Sequence, residues 1–464
     1  ADKMNTEYRR KGLWRYAGLM LGILQALMLL AAIDCSDILW ICILGTIQIV
    51  LNIITVCISA RCLLSVSMLF ISFSYILHLG QYTLQLLNTN VVPTANIFQK
   101  ASESLLIRSG QYVITAQAFI CVGIMVYHYL LSAVHVRRKN KWYSIDGVNS
   151  AALKYVGAVL FVAGIIPSII IHLNKIKLMM EGGYYNTFSY SAETGGIRFF
   201  ISNLWQIGIL LWMMVYQGRL WKCRFLYIGS VGYLMLTMLS GSRMTALMYI
   251  VMFTLFYLKV IEPLNFKKAV LFLCIGIFAA SYIVQIGLTR SGGTGGINGL
   301  QDVFAKVLAE FGGTIYSVTL IMEHIPHDVS FAYGSTYLLS PIYVFPNFGQ
   351  WPEGMLAITR FVDYIKGFTS SGLGGTYIGE MFYNFGHAGG VFFFLTGLFL
   401  AWLDRKINDA ISRKDWLCLT ICMGVLPYVF IWTRSFFKDM IRPLVWQAIL
   451  LLFLYRLFIR NKHH

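Results

Sequence analysis

The sequence predicts an all-α polytopic membrane protein with about twelve transmembrane helices and one long, partly helical outer connection. Three observations predict it. Of the 464 residues, 58% are apolar and only 12% are charged, whereas a soluble chain of this size carries about 25% charged residues. Apolar runs of about 20 residues recur along the chain, the length that crosses a bilayer as a helix. Lys and Arg gather in alternate short turns, the bias that fixes which side each turn faces. The strands of an outer-membrane barrel would be shorter and strictly alternating, and no such segments occur.

Each element follows from its own stretch. The first run, Leu13–Ile33, is preceded by the basic segment MNTEYRRKGLWR and has no small-residue cleavage site, so it reads as a span entered from the cytoplasm. Ile38–Ala60 and Leu63–Leu87 follow, with Arg61 at the inner turn between them. The fourth span, Gln111–Val136, ends in RRKNK, the strongest inside signal in the chain. Ala151–Leu173 leads to an outer loop containing Lys175, Lys177, Glu181 and YYNTFSY. Phe199–Tyr216 and Phe225–Leu239 are separated by the basic turn GRLWKCR. SGSR then makes a very short outer turn before Met244–Leu258. Ala269–Thr289 is the ninth span, and the connection from Arg290 to Thr376 follows it. Tyr377–Leu403, Trp416–Thr433 and Pro443–Phe458 complete the set and leave both termini cytoplasmic. Residues 1–464 then form a single integral membrane domain with 290–376 as a loop inside it.

The net charge of +17 suggests a nucleic-acid partner, but its placement in the inner turns assigns it to topology, leaving membrane lipids as the surroundings. The nine cysteines include no CxxC pair, and Cys418 and Cys422 lack His or Cys neighbours, so no metal is expected. The glycine-rich SGGTGGING lacks the GK[ST] ending of a phosphate loop, so no nucleotide cofactor is expected either.

A connection of roughly 85 residues is usually functional at that length. Its stretch 302–325 reads as a helix with Phe304, Val307, Leu308, Phe311 and Ile315 on one face. Glu310 stands at i+4 from Lys306 there, and a surface ion pair competes on even terms with a chemical role. His324 follows in HIPHD. Tyr337, Tyr343, Phe345, Phe348 and Trp351 suit an interfacial belt better than stacking on sugars.

The stretch GLGGTYIGEMFYNFGHAGG, 372–390, carries the densest polar pattern. On an uninterrupted helix Glu380, Tyr383, Asn384 and His387 fall at i, i+3, i+4 and i+7 and share one face. A carboxylate and an imidazole entering a membrane together require partners or a substrate. Arg243, Arg290, Arg434, Lys438 and Arg442 all fall on the outer side, against the positive-inside bias. Each alone reads as a snorkelling helix-end residue; several at one depth suit a shared anion such as a diphosphate. Arg434, Lys438 and Arg442 would line one stripe if RSFFKDMIR is helical.

SGSRMTAL closing the seventh span, the long outer loop, and GLGGTYIGEMFYNFGHAGG entering the next span resemble Wzy-type oligosaccharide repeat-unit polymerases of O-antigen and capsule synthesis. The resemblance implies a GT-C-like membrane glycosyltransferase of the bacterial plasma membrane. It would join undecaprenyl-diphosphate-linked repeat units on the outer face, without metal or nucleotide, with a polysaccharide chain-length regulator as a further partner. On that pattern Arg243 is a diphosphate ligand and the region from Glu380 to Asn384 lines the site. Arg290, Arg434, Lys438 and Arg442 extend the diphosphate set by their chemistry, with Tyr383, Asn384 and His387 lining the glycan site. Glu310, Glu380 and His324 are the candidate catalytic bases. Two rivals stand beside this reading. An O-antigen ligase would use similar chemistry on another acceptor, and a flippase would place its ionisable groups at mid-membrane with short outer loops.

Overall fold

The structure is a computed structural model that describes residues 2–458, apart from a few positions within 61–95, the segments 132–149 and 183–195, most of 266–298, and 346–374. Among the described residues every regular element is helical. The main helices before the long connection are α1 Asp2–Ile33, α2 Ile38–Ala60, α3 Val66–Leu86, α4 Glu103–Val126, α5 Ser150–Gly182, α6 Leu204–Val215, α7 Leu220–Met238 and α8 Arg243–Phe256. The connection that follows contributes α9 Leu300–Phe311, α10 Ile315–His324 and the short α11 Ser335–Leu339. The chain closes with α12 Tyr377–Phe385, α13 Gly390–Arg413, α14 Trp416–Trp432 and α15 Phe437–Phe458.

Among the described residues eight helical stretches are long and apolar enough to cross a membrane. Seven coincide with expected spans; the eighth is Leu300–His324, which the sequence assigned to the outer connection. It is apolar on average and mostly buried in the bundle, because Val303, Leu308, Phe311 and Ile315 all pack inward. Phe304, expected on that inward face, is instead exposed. The expected ninth span lies mainly outside the described residues. α3, α7 and α15 form as helices but are not among the eight, and neither is α14, an apolar helix of 17 residues. Among the described residues the count of twelve is therefore not reached by length and hydropathy.

α5 runs past Leu173 to Gly182, so Lys175 and Lys177 lie on a helix and not in a loop. The reason is local: IHLNKIKLMME contains no glycine or proline to stop the helix.

Three sets of contacts fix the bundle. α4 crosses α13 where Gly123 meets Gly397; a methyl on either would fall 2.2 Å from the carbonyl of Phe394 or 2.1 Å from that of Ile120. Only hydrogen at Cα permits this approach, the packing device of membrane helices. At the other crossing, Asp404 of α13 caps α3. Its Oδ1 accepts from the Val66 amide at 2.6 Å, and its Oδ2 accepts from the Ser67 amide at 3.0 Å and hydroxyl at 2.6 Å. The cap meets the orphan amides of a helix start, where a buried carboxylate is favoured. Between α1, α2 and α4, Gln25, Gln48, Asn52 and Gln117 join in a buried amide network, with Gln48 donating to Asn52 at 2.7 Å and Asn52 to Gln117 at 3.0 Å. Such groups have no water to turn to inside a membrane and so hold the three helices in register.

Candidate active site

Arg243 is the first residue of α8. The chain reaches it through a tight turn in which Gly241 takes φ 90°, a conformation that favours glycine. This leaves the arginine little freedom at its root. Its Nη2 meets Glu310 Oε1 at 2.6 Å, with side chains 15% and 31% exposed. Glu310 owes its place to a glycine crossing. A methyl at Gly80 of α3 would lie 3.1 Å from the Leu308 carbonyl, and one at Gly312 would lie 2.8 Å from the Gln81 amide. α9 therefore lies against α3, and the helix yields to a 3-10 turn over Gly312–Thr314 just beyond Glu310. Lys306, the expected partner of Glu310, pairs with Asp302 at 2.8 Å.

Beside this ion pair is an apolar cavity of about 450 Å³. α3, α7, α8 and α9 wall it, through residues such as Phe73, Tyr227, Leu247, Val251, Val307 and Phe311. Its lining on α8 runs from Met244, next to Arg243, to Leu255, a distance of about 16 Å at 1.5 Å per residue.

Glu380 is placed differently. It is 1% exposed, and both oxygens accept hydrogen bonds: Oε1 from the Thr336 hydroxyl at 2.8 Å and Oε2 from the Phe437 amide at 2.7 Å. Asn384, also buried, donates to the Thr336 hydroxyl at 2.8 Å and to the Glu380 carbonyl at 2.7 Å. The carboxylate thus ties α11 to the start of α15. Thr336 is the hub of this cluster, and its stretch FAYGSTYLL carries no pattern that would have marked it.

The expected four-residue stripe is broken. The helix stops at Phe385, Gly386 takes φ 55°, and a 3-10 turn follows. His387 therefore leaves the Glu380 face; it is exposed, and its ring lies against Tyr112 and Phe382. Tyr383 stays on α12 and is buried, its carbonyl accepting from the Ala332 amide at 2.9 Å.

The basic stripe is also divided. Arg434 lies in the turn before α15, whose first residue is Phe437. Lys438 and Arg442 do share a face, and both turn to Tyr343. The Lys438 ammonium is 5.1 Å from its ring centroid, and the Arg442 guanidinium is 5.9 Å from it. Arg442 Nε donates to the Tyr343 carbonyl at 2.5 Å, and Trp446 Nε1 donates to the Val344 carbonyl at 2.6 Å. Together they clip residues 343–344 onto α15. His324, at the end of α10, has Nδ1 2.5 Å from Asp328 Oδ2. Arg290, Phe348 and Trp351 lie outside the described residues. Among the described residues no group of three or more His, Cys, Asp or Glu could hold a metal ion.

The structure therefore brings together Arg243 with Glu310, and separately Glu380, Asn384 and Thr336. Sequence reasoning missed Thr336 altogether and read Glu310 either as the ion-pair partner of Lys306 or as one of three possible bases. The model of the O-antigen polysaccharide polymerase Wzy family matches residues 18–462. No curated protein and no solved structure is significantly similar to the chain. With nearly its whole length matched and its helices long and apolar enough to span a membrane, the chain belongs to the O-antigen polysaccharide polymerase Wzy family.

Proposed function

We propose that this membrane protein is a GT-C-like glycosyltransferase that lengthens an undecaprenyl-diphosphate-linked glycan on the outer face of the bacterial plasma membrane. The observation that carries the reading is the Arg243–Glu310 pair beside the 450 Å³ apolar cavity. A cation, a carboxylate and a lipid-sized apolar space at one place match the three parts of such a substrate: diphosphate, attacking hydroxyl and polyprenyl chain.

In the proposed step an acceptor sugar hydroxyl attacks the anomeric carbon of the lipid-linked donor glycan. A new C–O bond forms, and the bond from that carbon to the diphosphate breaks. The electron pair leaves with undecaprenyl diphosphate, and Arg243 stabilises the growing negative charge there. Glu310 takes the hydroxyl proton. Glu310 is favoured over Glu380 because both oxygens of Glu380 are already engaged by Thr336 and Phe437, and over His324 because Glu310 stands against Arg243.

Purified protein in liposomes, supplied with a lipid-linked repeat unit, should produce a ladder of polymer. Arg243→Ala and Glu310→Gln should abolish the ladder while leaving the protein folded in the membrane. A normal ladder from both variants rejects the assignment. A single addition to an unrelated acceptor would make the protein a ligase, and lipid movement without bond formation would make it a transporter.

A further inference from the structure

His172 is an imidazole in the apolar run IIIHL of α5, within a stretch long and apolar enough to cross a membrane. An ionisable side chain in such a run turns to the bundle interior and to a partner. The partner is Ser240, whose hydroxyl lies 2.7 Å from His172 Nδ1. Ser240 is 2% exposed and opens the turn SGSR that ends in Arg243.

The network assigns the proton in this contact. Ser240 Oγ also donates to the Thr237 carbonyl at 2.7 Å, and a hydroxyl has one proton to give. His172 Nδ1 therefore carries a hydrogen and donates it to Ser240. The contact is one of a pair. One turn earlier on the same face of α5, Ser168 accepts from the Tyr233 hydroxyl of α7 at 2.8 Å. The register of that face is set by Gly164, where a methyl would strike the Trp205 amide of α6.

α7 has need of these bonds. Of its 19 residues, only Cys223, Ser230, Leu234, Thr237 and Met238 are buried. Another side of it borders the 450 Å³ cavity through Tyr227, Val231 and Met235. α8, which begins at Arg243, receives no side-chain cap from Ser242. Packing and interhelical hydrogen bonds are what hold helices together in lipid. Where packing is this sparse, the two bonds from α5 carry more of the task.

We infer that His172 is a positioning residue for the proposed reaction: by donating to Ser240 it fixes the turn from which Arg243 extends. The inference rests on the reading of Arg243 as the group that stabilises the leaving diphosphate. Arg243 meets Glu310 at its far end, at 2.6 Å, and His172 secures its root through Ser240. A charge that must stand ready where another develops gains from a fixed root, and a misplacement of about 1 Å can cost about 100-fold in rate. His172 acts through Ser240 and not on the substrate.

The test compares His172→Leu, His172→Gln, His172→Asn and Ser240→Ala with the wild type, by extension rate in liposomes and by hydrogen exchange of the full chain. His172→Leu and Ser240→Ala remove the bond and should lower kcat by about 10- to 100-fold with KM nearly unchanged. His172→Asn keeps an N–H at the place of Nδ1 and should retain most of the rate; His172→Gln carries its amide one carbon further and should not. On the residual rate of Arg243→Ala, His172→Leu should cost nothing more, because the side chain it positions is gone, whereas a general loss of folding would multiply with it. Exchange over residues 240–246 should quicken in His172→Leu and Ser240→Ala and stay at the wild-type rate in His172→Asn. Wild-type kcat and exchange in both His172→Leu and Ser240→Ala overturn the inference. So does an equal loss in His172→Asn and His172→Leu, or a loss that multiplies with that of Arg243→Ala. Quickened exchange in His172→Leu, in a protein whose wild type makes no polymer, would support the tether and count against the polymerase reading. A ladder abolished by Arg243→Ala and untouched by His172→Leu would do the reverse.

Discussion

Arg243 and Glu310 lie 67 positions apart in sequence, and their side chains meet at 2.6 Å. The contact joins the start of α8 to α9, and the space it borders is apolar along α8 as far as Leu255. An ion pair at that place holds each partner in position but leaves both reachable, since the glutamate remains 31% exposed.

Arg243→Ala should reduce chain extension by about 100-fold or more, the usual cost of removing a preorganised group that stabilises charge in a transition state. Arg243→Lys should recover only part of this, because an ammonium cannot reproduce the fork of a guanidinium. Initial rates with a lipid-linked repeat unit measure both. Equal rates for Arg243→Lys and wild type would show that a point charge is sufficient.

Glu380 should act as a positioning residue. Glu380→Ala removes the acceptors of both the Thr336 hydroxyl and the Phe437 amide, at a cost of about 1–3 kcal/mol for each buried donor left unsatisfied. Faster hydrogen exchange over residues 335–345 and at Phe437 is the expected result. Glu380→Gln keeps a side-chain acceptor and should retain measurable polymer. Loss of all polymer in Glu380→Gln with unchanged exchange would instead place the carboxylate in the chemistry.

Arg442→Ala and Trp446→Phe each remove a donor to the backbone of 343–344. Limited proteolysis should then cut near this segment faster than in the wild type. Lys438→Ala should have a smaller effect, because a cation over an aromatic ring is worth only about 0.5–1 kcal/mol at exposed sites.

Val251→Trp places an indole in the apolar cavity lined by Leu247 and Phe311. It should impair extension of an undecaprenyl-linked unit more than that of a unit on a short isoprenoid chain. Comparing KM for the two substrates tests this, and an equal change in both would separate the cavity from lipid binding.

Gly123→Ala or Gly397→Ala should push α4 from α13, since each new methyl would meet a carbonyl at close to 2 Å. Overpacking of this kind costs about 1–3 kcal/mol. A lower melting temperature in detergent is the expected readout for either variant.

The sequence by itself determined the helical membrane class, the family, and most helix positions, because hydropathy and turn composition are local properties. It also marked Arg243, since a charged residue in SGSR between two apolar runs stands out without any knowledge of packing. Only the tertiary structure decided what each charge does. Glu310 found Arg243 because Gly80 and Gly312 let α9 lie against α3, a relation no spacing within one helix can express. Glu380 became an anchor because Thr336 and Phe437, 44 and 57 positions away, meet its two oxygens. His387 left the polar stripe because Gly386 interrupts the helix, and Lys175 lies on a helix because α5 runs on for nine residues beyond Leu173. Periodicity predicts which residues share a face; the neighbours that complete each side chain's hydrogen bonds come from distant parts of the chain.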